Sequence, residues 1–517
     1  MAFHRKAKVQ SDSVRSPKQV LELNTLLDDT MRQRILVQIT PSPEEIALQQ
    51  NLISSISDVL RERATKIRQK YSFIEAEGST GGKQTQLRGA GDVDLFIGLR
   101  PKDFADILRQ PAAKRDAALS SALDRLVDRW FVPAVKSLDV RDVMKTYSQH
   151  PYLSLTMQGV EIDVVACFDI RPADLAAKGP ITAVDRTVHH TRYVSEKMNS
   201  RAREDARLLK SFVRASHAYG DKSAVGRTGF TGYSLELLVL ALGSLDEAIR
   251  RLLSLEQDPV DPLDRKADEL QKKPAFRDDH LFIIDPTDTE RNVASSFSPR
   301  AYQWIKRRAA RLMELSQGGD REALFQMFIE KPIPVTPLPA WISGHAFSRE
   351  FISDGTVHYT VLRDKLHRVC SEMIRALETE RTGEDRFGKV LAEVLFENTH
   401  FCAGFIVENQ EIGPSYTRRG PPVSIVEAVD RFKHDHPDAY EKDGYLWLDV
   451  ARETSSASVA LDSLVRSIGI RGLKRSRART VLSDQVLNVL YRYVMQVEDF
   501  PLKERQEFKD AAPSLGD

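Results

Sequence analysis

The chain has 517 residues, with 75 Lys and Arg against 74 Asp and Glu, for a net charge of +1. That length exceeds one compact core and predicts two to four domains. Near-neutrality excludes a global field that would draw the protein onto nucleic acid, so any RNA contact must use local basic patches. The three cysteines, Cys167, Cys370 and Cys402, lack metal-ligand spacing and imply a reducing compartment with no disulfide framework. The longest apolar run, YSLELLVLALG (233–243), is too short to span a bilayer and contains Glu236. MAFHRKAKVQ lacks an apolar signal segment, so the expected location is cytoplasmic, with no membrane contact.

Residues 1 to about 20 are polar and basic and are expected to be disordered. In TPSPEE, Ser42 reads as an N-cap, Pro43 as the first helical residue and Glu45 as the closing member of a capping box. Ile46, Leu52, Ile53, Ile56 and Leu60 then follow at helical spacing, so a helix should run to about Arg68. YSFIEAEGS reads as a short strand entering a loop, and DVDLFIGL as a second strand. Residues 101–145 read as mostly helical. YLSLTM and VEIDVVACFDI are two further strands, with a hairpin turn at TMQGVE. From about Thr191 the pattern is helical, including REDARLLKSFVRASHAYG and one long segment GYSLELLVLALGSLDEAIRRLLSL. Residues 256–279 form a charged, Pro-containing surface excursion, and SPRAYQWIKRRAARLMELS is another helix. KPIPVTPLPAW (331–341) is Pro-rich and extended, a natural boundary. Beyond it, YTVLRDKLHRVCSEMIRALETE reads as a helix, and HFCAGFIVENQ and GYLWLDVARE as strands.

Chemistry enters at EAEGSTGGKQTQLRGAGDVDLFIGL (75–99). Alternate strand residues share a face, so Asp92 and Asp94 should project together. Two carboxylates that close repel each other and raise their pKa values unless a cation sits between them. Magnesium suits such a pair, since it takes a few carboxylate oxygens and keeps other positions for water and phosphates. Asp163, on the same face as Glu161 in GVEIDVVACF, offers a third carboxylate for a two-metal site. Upstream, the glycine of GST lets backbone approach phosphate, Ser79 adds a hydroxyl, and Lys83 and Arg88 can neutralise charge. The ordered set points to a nucleoside triphosphate with metal over its α-phosphate.

With these motifs the chain resembles the polymerase-β-like nucleotidyltransferase superfamily. AVDRTVHHTRYV (183–194), ARLLKSFVRASHAYG (206–220), GFTGYSLELL (229–238), IDPTDTERNVA (284–294) and RRGPPV (418–423) follow in order. Together they resemble the archaeal-type, or class I, CCA-adding tRNA nucleotidyltransferases, over roughly residues 40–460. The resemblance implies an α+β chain: a nucleotidyltransferase head with a mixed β-sheet and helices, a helical neck, and an α+β body and tail. The expected divisions are an N-terminal tail over 1–38, the head over 39–188, the neck over 189–330 and a tRNA-binding body and tail over 331–517. It implies that Asp92, Asp94 and Asp163 hold two Mg2+ ions, with Asp163 nearest the primer hydroxyl. Gly78, Ser79, Lys210 and Tyr219 would contact the triphosphate, Thr187 and His190 would lie at the nucleotide, and Arg291 would read the base edge of CTP or ATP. The implied partner is tRNA, at its acceptor stem and elbow, and a homodimer is compatible with the pattern. Here GSTGGKQT carries one residue more than the usual spacing, with Gln84 where Gly or Asn is commoner.

Arg203, Arg207, Lys210 and Arg214 share a helical face. That stripe could meet triphosphate or RNA, or be a solvated face paired with Glu204 and Asp205. Two more basic clusters, Lys474, Arg475, Arg477 and Arg479, and Arg300, Lys306, Arg307, Arg308 and Arg311, could track tRNA phosphates or be ordinary surface. Gly-Pro-Pro in RRGPPV is expected to fix a rigid turn. Another RNA 3′-end tailing enzyme would share the chemistry, and two further functions share parts of this pattern. One is a signalling enzyme making oligoadenylate or cyclic nucleotides; the other is an RNA-binding protein with a decayed head, against which the intact set of three carboxylates argues.

Overall fold

Apolar alternation in the first third of the chain builds one mixed sheet. Its strands are β1 (Phe73–Glu77), β2 (Val93–Leu99), β3 (Arg141–Tyr147), β4 (Pro151–Met157) and β5 (Val160–Phe168), in the order β1-β2-β5-β4-β3. This computed structural model describes residues 25–147 and 150–501. Only β2 and β5 pair in parallel; the other neighbours are antiparallel. The β4–β5 hairpin turns at Gln158 and Gly159, with φ of 50° and 81°, as two-residue hairpins require. A parallel pair needs a long crossover. Here it includes the helix Ala112–Leu126 and the buried Trp130, whose Nε1 donates to the Leu60 carbonyl at 2.8 Å. Trp130 and Phe131 fill the core between the sheet and the helix Pro43–Lys66.

Ser42 caps that helix, accepting from the Glu45 amide at 3.2 Å. The box is not reciprocal: Glu45 Oε1 accepts from the Gly89 amide at 2.9 Å, tying the helix start to the loop before β2. The helical reading of 101–145 fails at its end, where Arg141–Tyr147 is an edge strand. Its polar, mostly exposed residues carry no core periodicity.

The expected tail over 1–38 includes a helix, Asp29–Ile39, with Met31 and Ile35 buried. Its Arg32 reaches Glu204 at 3.0 Å and Asp205 at 2.5 Å. The expected disorder over residues 1 to about 20 lies outside the described residues. The central core joins this helix to Ser200–Ala215, Gly232–Leu242, Leu245–Arg251 and Pro299–Gly318. The long segment expected after Gly232 is two helices, broken at Gly243 (φ 84°), with Ser244 capping the second at Glu247. The charged excursion holds a short helix, Ala267–Gln271, and its own apolar cluster around Leu270, Phe276 and Phe282. It leads into the small hairpin β6 (Ile284–Asp285) and β7 (Asp288–Asn292).

After the Pro-rich stretch comes a four-stranded sheet, with β8 (Ala346–Ser353), β9 (Val390–Glu397) and β10 (His400–Val407). A three-stranded sheet follows, with β11 (Ser415–Pro422), β12 (Tyr440–Lys442) and β13 (Tyr445–Ala451), and β14 (Leu473–Ser476) returns to the four-stranded one. Alternation along β9 decides what each face meets. Leu391 and Leu395 join the central helical core, whereas Val390, Ala392 and Val394 join the cluster of the helix Tyr359–Glu378. RRGPPV is not a turn: Arg418 and Arg419 lie on β11 opposite Leu448 and Trp447, with a register shift before Pro422. Among the described residues no helix is long and apolar enough to cross a membrane.

Candidate active site

The parallel register of β2 and β5 sets Asp94 directly beside Asp163, and β1 places Glu77 opposite Asp94 on the other side. Asp92 precedes β2 by one residue. Asp92, Asp94, Asp163 and Glu161 line one wall of a cavity of about 510 Å³. Lys210, Arg214, Tyr219, Lys222, Ser79 and Tyr359 also line the cavity.

The acidic wall is electrostatically unfavourable on its own. Burial, then the charges of Asp163 and Asp92, push the Asp94 carboxyl up to about 7. Burial pushes Asp163 up to about 6, against a hydrogen bond from Ser154, with Glu161 and Asp92 adding to the rise. Asp92 is raised by burial too, though Lys222 and Arg214 oppose it. Asp163 Oδ1 is buried without a hydrogen-bond partner. Among the described residues no group of three or more His, Cys, Asp or Glu is placed to hold a metal ion by itself. A hard-oxygen set that repels itself and leaves an acceptor orphaned fits an octahedral cation that completes its shell with water and phosphate.

The loop before β2 is held from several sides. Gly78 has φ 71°, and a Cβ there would lie 2.7 Å from Asp94 Oδ2, so only glycine brings this backbone so close to the carboxylate. Its amide donates to Thr191 Oγ1 at 3.2 Å, and Thr80 Oγ1 donates to the Asp92 carbonyl at 2.7 Å. Gln84, the residue out of pattern, sits at φ 53°, the left-handed region that Gly or Asn enters most easily.

The basic stripe has a role that spacing did not reveal. Arg203 donates to the Lys83 carbonyl at 3.1 Å, Arg207 to those of Gln84 and Gln86 at 2.6 and 3.2 Å, and Lys210 to that of Thr85 at 3.1 Å. Three of its four cations therefore clamp the loop's backbone, and Arg214 pairs with Glu330 at 2.6 Å. Glu204 and Asp205 pair with Arg32 rather than with the stripe's four cations. Only Lys210 and Arg214 also reach the cavity.

Of the residues expected at a nucleotide, Ser79, Lys210 and Tyr219 line the cavity with the carboxylates, and Gly78 adjoins it through Asp94. Thr187, His190 and Arg291 do not line it. His190 is buried, with Nε2 2.7 Å from Asp285 Oδ2, and stacks on Tyr233 at 4.1 Å. Arg291 reaches the same Asp285 oxygen at 3.0 Å, and Tyr233 donates to Oδ1 at 3.0 Å. Burial holds His190 down at about 4, against its bond to Asp285, so it is neutral at pH 7. Asp185, in the same motif, is buried and accepts from the Phe168 amide at 2.7 Å, fixing the end of β5. Sequence reasoning missed Asp285 and Tyr359 as site-building residues. It noted Glu236 only as a charge in an apolar run, which was the available signal.

Most cations of the basic cluster in Pro299–Gly318 are paired within the chain. Arg300 pairs with Glu393 and Glu498, Lys306 with Glu256, and Arg311 with Glu314, while Arg308 is buried beside Trp304. The cluster at 474–479 is more exposed, with Arg475 on Asp462 and Arg479 on Asp484. In the three-stranded sheet Arg419 lies 3.6 Å over the Tyr445 ring.

A family model described as tRNA nucleotidyltransferase, second domain, matches residues 204–318. The CCA-adding enzyme of Methanopyrus kandleri is 33% identical over 295 residues, 54% of this chain and 54% of that protein. The match thus spans about half the length of that relative. The CCA-adding enzyme of Thermococcus kodakarensis is 28% identical over 426 residues, 80% of this chain and 83% of that protein. Among solved structures, that of E. coli MS115-1 CdnC with ATP aligns at 15% identity with a TM-score of 0.42, over 59% of this chain and 99% of that one.

Proposed function

Since the chain belongs to the archaeal-type tRNA nucleotidyltransferase family, we propose that it adds C, C and A to the tRNA 3′ end. It uses CTP and ATP without a nucleic-acid template and releases pyrophosphate. The observation that carries this reading is the in-register pairing of Asp94 with Asp163 in a cavity that Lys210 and Tyr219 also line. One wall is suited to cations and the other to phosphate.

Asp92, Asp94 and Asp163 would hold divalent metal, Mg2+ in two positions. When bound, such ions lower the pKa of a terminal hydroxyl and neutralise charge on the α-phosphate. The chain's own residues do the rest. Gly78 lets the loop approach the phosphates, and Ser79, Lys210 and Tyr219 orient them for in-line attack. Asp163, on the strand next to β2, takes the side of the RNA 3′-hydroxyl and helps remove its proton. Arg291, held by Asp285, reads the base edge, with Thr187 and His190 beside it. The body and tail receive the acceptor stem and elbow of tRNA. The expected setting is the cytoplasm, where the substrate is made and used.

Incubation of the protein and Mg2+ with labelled CTP or ATP, plus tRNA ending before CC, CA or A, tests the proposal. Stepwise growth to a complete CCA end supports it. Label confined to short free oligonucleotides or cyclic products would replace it with the signalling reading.

A further inference from the structure

Glu236 is the one charged residue of the helix Gly232–Leu242, GYSLELLVLAL, and it is 1% exposed. A carboxylate buried on such a helix is costly unless it is paired. Its three partners come from two places in the chain, the loop before β2 and the helix Ser200–Ala215. Lys210 Nζ lies 2.7 Å from Oε1, Lys83 Nζ lies 3.0 Å from Oε2, and Thr85 donates to Oε1 at 2.5 Å. One carboxylate thus serves two ammonium groups, both at least nine-tenths buried. Neutralising Glu236 requires only one of them. The second leaves a surplus positive charge inside the protein, beside the cavity wall that Lys210 lines.

We propose that Glu236 is a positioning residue for triphosphate binding: it gathers Lys83 and Lys210 onto one carboxylate, so that their surplus charge meets the phosphates. This rests on the nucleotide-binding reading above and names a residue that the reading does not assign. The surroundings fit the role. A Cβ at Gly232 would lie 2.7 Å from Tyr219 Oη and 3.4 Å from Lys210 Cε, so the tyrosine hydroxyl and the lysine tip share one space. Lys83 is fixed at both ends, its side chain by Glu236 and its carbonyl by Arg203. It also lies 4.8 Å over the Tyr233 ring, which links this wall to the Asp285 cluster. Its charge is felt at Asp94 as well, where it favours the ionised carboxylate. The groups facing Glu236 are therefore Lys83, Thr85, Lys210, Tyr219 and Tyr233.

The test is titration of the full chain with ATP or CTP, without RNA, across pH 6 to 10. Glu236→Gln keeps the shape and removes the charge. Its nucleotide Kd should rise by about tenfold or more, and the alkaline loss of binding should move to lower pH, since buried lysines without an anion release their protons more easily. A role in packing alone would leave the pH profile where it is. Lys83→Met leaves a neutral Lys210–Glu236 pair, and so serves if Glu236→Gln does not fold. It should weaken binding by a similar factor with no loss of melting temperature. Wild-type affinity and an unmoved alkaline limb in Glu236→Gln would overturn the proposal, as would wild-type affinity in Lys83→Met. A wild-type protein that binds ATP with the predicted variant effects, yet extends no tRNA, would support this inference and sink only the proposed reaction.

Discussion

The two walls of the cavity solve the burial of charge in opposite ways. On the lysine wall, Lys83, Lys210 and Thr85 converge on Glu236, whose charge is paired within the chain while its Oε2 accepts no hydrogen bond. On the carboxylate wall, Asp94 and Asp163 stand side by side, both are raised chiefly by burial, the Asp163 charge raises Asp94 further, and Asp163 Oδ1 is left without a partner. The first wall draws its counter-ion from the chain itself and keeps one ammonium charge in surplus. On the proposed reading, a cation from outside would complete the second. The difference teaches that shifted carboxylates alone do not identify a site. Glu236 is the more deeply buried acid, yet its lysines override burial and hold it at about 2.

Breaking the carboxylate wall should have the largest effect. Asp94→Asn should lower single-turnover nucleotide transfer by about 10^3-fold or more. In chelator its melting temperature should not fall, because the substitution relieves repulsion. Calorimetry and rapid-quench transfer on the same preparation read both. On the lysine wall, Lys210→Met should cut kcat/KM for the nucleotide by about 10^2-fold, most of it in KM. A steady-state nucleotide titration separates the two constants. Arg207→Ala acts one layer further out, since it releases the carbonyls of Gln84 and Gln86. Nucleotide KM should rise by roughly threefold to tenfold with kcat unchanged.

The contrast also has a pH signature. Glu236 has a folded pKa below its ordinary 4.5. A depressed carboxyl contributes stability that is present above its unfolded pKa and is lost as pH falls toward about 2. Urea unfolding at pH 6 and pH 3 should therefore show a smaller acid loss in Glu236→Gln than in the wild type. The smallest effect is expected at Lys306, which is paired with Glu256. Lys306→Ala should change tRNA affinity by less than about twofold, measured by filter binding at two salt concentrations.

The carboxylate wall was legible in the sequence because a strand's period of two is strict. Spacing alone put Asp92 with Asp94 and Asp163 with Glu161, and parallel pairing then set Asp94 beside Asp163. The lysine wall was only half legible. A stripe of cations is visible at helical spacing, but its partners are backbone carbonyls of residues 83–86, which no side-chain pattern reports. For the same reason the sequence left 300–311 open between an RNA track and ordinary surface, since its partners Glu256, Glu393 and Glu498 are remote in the chain. Arg141–Tyr147 was missed because an exposed edge strand needs no apolar alternation. The helix Asp29–Ile39 was hidden by being assigned to a tail, though Met31, Ile35 and Leu36 supply its buried face.

The most direct measurement is pyrophosphate release in a single turnover, with CTP and tRNA lacking its terminal CCA, compared between wild type, Asp94→Asn and Lys210→Met. The two-wall account predicts that Asp94→Asn still binds CTP within a few-fold yet releases almost no pyrophosphate, whereas Lys210→Met recovers release at high CTP. Release from Asp94→Asn at the wild-type rate would contradict it.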